Sequence, residues 1–135
     1  MNEKNKIDII IEKSLKELKS AEILIQNDAF NAAVSRTYYA MFYVIQALFI
    51  EENIVCSSHH GMITTFSKEF VKTGIFPNET GKQINKIFEL RQSSDYNFEF
   101  IIILDDAIEV LNTGKRFVEI ILQYIKIKGY SGKQA

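Results

Sequence analysis

The most apolar part of the chain is the segment from Ala29 to Glu52, which reads AFNAAVSRTYYAMFYVIQALFIEE. A helix drawn through it is apolar on nearly every side, so other helices should surround it. Its longest apolar run, from Tyr38 to Ile50, is interrupted only by Gln46 and is well short of the roughly 20 residues that span a membrane. We therefore predict a buried central helix and no membrane association.

The segments on both sides of this helix predict its neighbours. Before it, apolar residues recur every three or four positions on one helical stripe, with a break at Asn27 and Asp28; the stripe consists of Ile11, Leu15, Leu18, Ala21 and Ile25. After it, a polar loop leads to Ser57 or Ser58 as the cap of a third, shorter helix that Gly74 closes. Pro77 fits the first turn of a fourth helix.

The last third of the chain contains a connector and a final helix. From Tyr96 to Ile102 apolar residues alternate with others, but no second strand is visible, which predicts an extended connector. A long helix follows from Leu104 and should end at Gly129. The predicted fold is an all-α, antiparallel up-and-down bundle of four main helices and a short extra one. It forms one domain, residues 1–128, followed by a disordered tail, residues 129–135.

The composition of the chain excludes several classes of protein. The 135 residues are 47% hydrophobic and 24% charged, which excludes a disordered chain. A net charge of −1 excludes the basic field that duplex DNA requires. The single cysteine, Cys56, excludes an internal disulfide and suits a reducing compartment, so we expect a cytoplasmic protein.

Two arginines are the residues that most need explanation. The chain has thirteen lysines but only three arginines, and Arg36 and Arg91 interrupt apolar helical surfaces. Arg91 follows Ile87 by four residues, so it projects from an apolar face and needs a partner, for which Asp95 is the nearest candidate. Arg91 either binds a phosphate through its planar, permanently charged fork or forms a structural ion pair.

The remaining polar and aromatic candidates favour structural roles. His59 and His60, the only histidines, lie near Cys56 but lack metal-ligand spacing, so we predict no metal site and a contact at a helix start instead. Tyr38, Tyr39 and Tyr43 are assigned to packing. No glycine-rich phosphate loop, serine elbow or paired-cysteine motif occurs, and we expect no cofactor.

Three segments together resemble the HEPN superfamily, especially its small stand-alone members associated with minimal nucleotidyltransferases. They are AAVSRTYYAMF at residues 32–42, HHGM at 59–62 with FVKTG at 70–74, and LRQSSDY at 90–96. Their order and spacing also match. The resemblance covers residues 13–125.

The resemblance implies a helical bundle, a homodimer and a minimal nucleotidyltransferase as partner. In many relatives it also implies a site that cuts RNA with an arginine followed four to six residues later by a histidine. Arg91 matches that arginine, but Asp95 and Tyr96 follow it and no histidine occurs after His60. The implied catalytic residues are Arg91, Asp95 and Tyr96, while Arg36, His59 and Arg91 would bind RNA or a nucleotide.

Three functions remain open at this point. The chain is an RNA-cleaving toxin, a non-catalytic subunit that presents a nucleotide or substrate to the transferase, or a purely structural helical dimer. In some toxin relatives a tyrosine in this motif accepts a nucleotide from the partner, which makes Tyr96 the candidate for modification.

Overall fold

The computed structural model describes residues 2–134 and the side chains of residues 2–129. Its helices are α1 (Glu3–Gln26), α2 (Phe30–Glu51), α3 (His59–Phe66), α4 (Asn78–Tyr96) and α5 (Leu104–Gln134), and a π-helical turn, Ser67–Val71, continues α3. The described residues contain no β-strand. The predicted all-α bundle with one short extra helix is confirmed.

Helix α2 is the centre of the bundle, as its apolar sequence predicted. It contacts each of the other four helices and packs most closely against α1 and α5. Val34, Tyr38, Met41 and Val44 are fully buried along its length. No helix within residues 2–134 has both the length and the apolarity to cross a bilayer.

The buried face of α1 differs by one residue from the predicted stripe. Leu18 and Ala21 are buried, but Leu15 is 46% exposed and the neighbouring Ser14 is fully buried in its place. The Ser14 hydroxyl donates a hydrogen bond of 2.7 Å to the Ala40 carbonyl of α2. A small side chain whose hydroxyl is satisfied by the backbone lets the two helices approach closely.

Helix α5 also packs closely against α2. A Cβ atom built on Gly114 would overlap Cγ2 of Thr37, and Met41 Sδ and Leu18 Cδ2 would lie 3.7 and 3.8 Å away. A side chain larger than hydrogen does not fit between α5 and this part of α2.

The helix ends agree with most of the predicted boundaries. Ser58 caps α3 by accepting a hydrogen bond of 3.0 Å from the Gly61 amide, and Gly74 has the left-handed φ of +82° expected of a helix-closing glycine. Pro77 directly precedes α4 instead of lying in its first turn.

The connector between α4 and α5 lacks regular structure, as predicted, but α5 does not end where the sequence predicted. The connector, residues 97–103, is irregular with one turn, in which the Phe100 amide donates to the Asn97 carbonyl. Helix α5 extends to Gln134, five residues beyond the predicted end at Gly129. The predicted disordered tail falls mainly on residues whose side chains lie outside the described part, and it stays a prediction.

Candidate functional site

Arg91 lies on the face of α4 that packs against α2, and its side chain is only 19% exposed. Its Nη2 donates a hydrogen bond of 2.9 Å to the hydroxyl oxygen of Tyr39. Its Nε lies 3.2 Å from Oδ2 of Asp95, one turn further along α4, so the predicted pairing of the two residues is present. The Nε–H group is not directed at that oxygen, and Nε is buried without a hydrogen-bond partner.

The second arginine singled out from the sequence reaches the same tyrosine. Arg36 places its Cζ 5.0 Å from the centre of the Tyr39 ring, and Arg91 places its own 4.9 Å from that centre. Arg36 also pairs with Glu17 of α1, with Nη1 and Oε2 3.0 Å apart. The electron-rich ring stabilises both cations, so Tyr39 brings two guanidinium groups from different helices together.

A polar groove of about 420 Å³ lies beside these arginines, between the first turns of α2 and the end of α4. We call it the arginine groove, and its lining residues are Asn31, Ala32, Ser35, Arg36, Ser94 and Asp95. Asn31 Nδ2 donates hydrogen bonds to Ser94 Oγ at 2.7 Å and to the Phe100 carbonyl at 3.2 Å. These bonds tie α2 to α4 and to the connector, which fixes the width of the groove.

His59, at the start of α3, packs against the rings of Tyr38 and Tyr39. Its Nδ1 lies 2.8 Å from the Tyr38 hydroxyl, and its ring stacks on Phe42 with the ring centres 3.9 Å apart. Desolvation lowers the pKa of His59, and the nearby charge of Arg91 lowers it further. The imidazole is therefore neutral at pH 7.

The structure brings some predicted site residues together and separates others. Arg36 and Asp95 share the arginine groove, Arg91 pairs with Asp95, and His59 and Arg91 both contact the rings of Tyr38 and Tyr39. Tyr96, the last residue of α4, is instead 85% exposed. His60 is exposed, and no cluster of three potential metal ligands occurs in the described part of the chain.

Sequence reasoning missed Tyr39, which it assigned to packing, and the amide of Asn31. One signal could have indicated Tyr39, because it follows Arg36 by three residues and so lies on the same helical face. Its contact with Arg91 depends on how α2 and α4 pack, which no local pattern shows. Tyr38, by contrast, is a buried packing residue with a satisfied hydroxyl, as predicted.

The fold and the site together define a class of protein: a small all-α bundle in which two arginines meet on one tyrosine ring beside a polar groove, at the contact of two antiparallel helices. Comparison with known proteins identifies the family. A family model described as the HEPN domain matches residues 7–125, and the chain belongs to this family.

Its relatives include proteins from bacteria and archaea. A UPF0332 protein of Thermotoga maritima is 41% identical over 97 residues, which are 71% of this chain and 74% of that protein. Two proteins of Methanocaldococcus jannaschii, both named "Putative toxin", are each 34% identical to it. One aligns over 90% of this chain and 83% of its own length, and the other over 69% of each.

Proposed function

We propose that this chain is the toxin component of a toxin–antitoxin-like pair and that its arginine groove binds phosphate groups of RNA or of a nucleotide. The observation that carries the proposal is the convergence of Arg36 and Arg91 on the Tyr39 ring, beside one polar groove. The names of the two archaeal relatives support the toxin assignment.

The chemistry of the guanidinium group favours a phosphate ligand. Arginine stays charged at every physiological pH, and its fork donates two parallel hydrogen bonds to a phosphate. Arg36 is 41% exposed and lines the arginine groove, so it is accessible to a ligand there. Arg91 is more buried, where a charge interacts more strongly with an anion than it does in water.

Two versions of this function use the bound phosphate differently. In the first, the chain is a non-catalytic subunit that binds RNA or a nucleotide and presents it to a transferase. In the second, it is a ribonuclease in which Arg91 stabilises the transition state and Asp95 accepts a proton. The first is favoured because no histidine follows Arg91, and histidine is the usual proton acceptor near neutral pH.

We propose a minimal nucleotidyltransferase as the partner and the connector as its docking surface. Four large apolar side chains are exposed in the connector and at the end of α4. We call them the connector patch: Tyr96, Phe98, Ile101 and Ile103, with exposures of 85, 95, 80 and 57%. Contiguous apolar exposure marks contact surfaces. The exposed carboxylates of Glu99, Asp105 and Asp106 flank the patch, which favours a partner surface that is apolar with a basic rim.

Tyr96 lies in this patch, so a docked transferase would meet its hydroxyl. We propose that Tyr96 accepts a nucleotide there. Its oxygen would attack the α-phosphorus of a nucleoside triphosphate, pyrophosphate would leave, and the phenol proton would pass to solvent. An intact-mass measurement after incubation with the transferase and ATP should show one added nucleotide that Tyr96→Phe abolishes, whereas an unchanged mass would contradict the modification.

Phosphate binding can be tested with a fluorescently labelled single-stranded RNA in an anisotropy titration. We expect Arg36→Ala and Arg91→Ala each to weaken binding by roughly 10-fold or more, because each removes a charged hydrogen-bond donor. Arg116→Ala is the matched control, since Arg116 is exposed on α5 and lines a different surface. Equal affinities for all three folded variants would contradict the proposal.

Expression in cells separates the two versions of the function. The ribonuclease version predicts growth arrest without the partner, relief by Arg91→Ala, and RNA fragments that depend on Arg91. The non-catalytic version predicts a complex with the transferase and no RNA cleavage. Growth arrest that persists in Arg91→Ala would argue against a toxic role for the arginine groove.

Docking can be tested by co-purification with a minimal nucleotidyltransferase. The double variant Phe98→Ser, Ile101→Ser should lose the complex. Val55→Ser should keep it, because Val55 is equally exposed, at 96%, but lies in another loop. We also propose that the chain is a homodimer, which light scattering after size-exclusion chromatography can measure. If the double variant abolishes only the dimer, the connector patch contacts a second copy instead of the transferase.

A further inference from the structure

His59 is held in one orientation by two aromatic residues of α2. The Tyr38 hydroxyl meets its Nδ1 at 2.8 Å, and Phe42 stacks on its ring at 3.9 Å with only 15° between the planes. Ser58 caps α3 directly before it, which fixes the backbone from which the imidazole projects. The ring is therefore positioned before any ligand arrives.

The hydrogen bond to Tyr38 determines which ring nitrogen carries the proton. Tyr38 is fully buried, and its hydroxyl has no other hydrogen-bond partner among the described residues. Burial raises the pKa of Tyr38 far above its usual value, so the hydroxyl keeps its proton. A buried O–H group needs an acceptor, so Tyr38 donates to Nδ1, and the neutral imidazole carries its own proton on Nε2.

Nε2 of His59 is not completely buried. It forms no hydrogen bond within the described residues, and the only buried side-chain nitrogen or oxygen there that lacks one is Arg91 Nε. His59 and Arg91 also border the same tyrosine. The ring centre of His59 lies 6.0 Å from that of Tyr39, and the Arg91 Cζ lies 4.9 Å from it. A neutral N–H donor and a guanidinium thus contact the same aromatic ring.

We propose that His59 is an anion-binding residue beside Arg91, whose Nε2–H donates a hydrogen bond to a phosphate oxygen of the ligand that Arg91 attracts. The inference rests on the proposed phosphate binding and makes it more specific. Because Nδ1 accepts from Tyr38 and Nε2 carries the proton, His59 has no free lone pair with which to take a proton from a ribose 2′-hydroxyl. The site then holds a phosphate without providing a histidine base.

The protonation state can be observed directly in the intact protein by long-range proton–nitrogen NMR of histidine labelled with nitrogen-15. At pH 7.5 we expect His59 to show a protonated Nε2 and an unprotonated Nδ1, and the Nε2 signal to shift when a short single-stranded RNA is added. A protonated Nδ1, or an Nε2 signal that RNA leaves unchanged, would overturn the proposal.

Binding measurements test the same role independently. We expect His59→Ala to weaken RNA binding by about 3- to 10-fold, the loss of one hydrogen bond to a charged group that is partly open to water. His59→Gln, whose amide can donate from a similar position, should recover part of the loss. The neighbouring, exposed His60 provides the control variant His60→Ala, which should bind like the unaltered protein.

The possible outcomes separate this inference from the proposed function. If Arg36→Ala and Arg91→Ala weaken binding but His59→Ala does not, phosphate binding stands and the role of His59 is wrong. If the arginine variants also bind normally, both are wrong. RNA cleavage that His59→Gln abolishes would show that His59 is a base and would overturn the inference alone.

Discussion

Replacing Gly114 with alanine tests how closely α5 and α2 must approach. The new methyl group would overlap Cγ2 of Thr37. Thr37 cannot move aside easily, because it is 1% exposed and its hydroxyl donates a hydrogen bond of 2.9 Å to the Ala33 carbonyl. The overlap must therefore be relieved by moving the two helices apart. Thr37 directly precedes Tyr38, the residue that positions His59, so this movement would also reach the candidate site.

The size of the effect follows from two opposing terms. Overpacking a rigid core costs about 1–3 kcal/mol, and the blocked Thr37 side chain places this site near the upper end. Alanine in a helix interior is more favourable than glycine by about 1 kcal/mol. We expect Gly114→Ala to lower the free energy of unfolding by about 2 kcal/mol. At an unfolding entropy of about 2.1 cal/mol/K per residue, this lowers Tm by roughly 7 °C.

Urea unfolding followed by circular dichroism measures this loss. Gly129→Ala, in the same helix but with nothing within 4 Å of the added Cβ, is the matched control and should not destabilise the protein. Thr37→Ser removes the overlapping methyl and keeps the hydroxyl, so Gly114→Ala combined with it should lose less stability than the two separate losses added. A Gly114→Ala protein as stable as the unaltered one would refute the close approach of α2 and α5.

Three further changes test other contacts. Ser14→Ala removes the buried hydrogen bond between α1 and α2 and should cost about 1 kcal/mol of unfolding free energy in the same urea assay. The pKa of His59 is lowered in the folded protein, so the unfolded chain takes up a proton first as pH falls below 6.5. The free energy of unfolding should therefore decrease as pH falls through this range, and it should decrease less steeply in His59→Gln. Asp95→Asn removes the carboxylate that competes for Arg91 and should tighten RNA binding in the anisotropy titration, whereas weaker binding would show that Asp95 assists the ligand.

The fold was largely predictable because its central helix is apolar on nearly every side. That feature determines that α2 is surrounded, and the stripes and breaks on either side determine the number of its neighbours. The exchange of Leu15 for Ser14 on α1 was not predictable, since a pattern of apolar residue types cannot reveal a serine that is buried because a carbonyl of α2 accepts its hydrogen bond. The position of Pro77 was missed by one residue, because proline fits both sides of a helix start.

The candidate site was predictable only where it is local. Arg91 and Asp95 are four residues apart on one helix, so their contact follows from helical geometry. Tyr39 and Arg91 are 52 residues apart, and their hydrogen bond exists because of the angle and distance at which α2 and α4 pack. The same holds for His59 and Tyr38, whose bond depends on where the loop after α2 places the start of α3.

Both arginines already form ion pairs, but these pairs still allow phosphate binding. The Arg91–Asp95 pair is easier to break than the Arg36–Glu17 pair. Asp95 is 38% exposed, so its carboxylate can return to water at little cost when a phosphate takes its place, since partly exposed pairs contribute only about 0–1 kcal/mol. Glu17 is 18% exposed and holds Arg36 from α1, so this second pair is harder to break. Arg36 would then keep its carboxylate and offer its remaining N–H groups to the groove. Arg91, in contrast, would exchange Asp95 for the ligand, which makes it the arginine whose charge a phosphate neutralises.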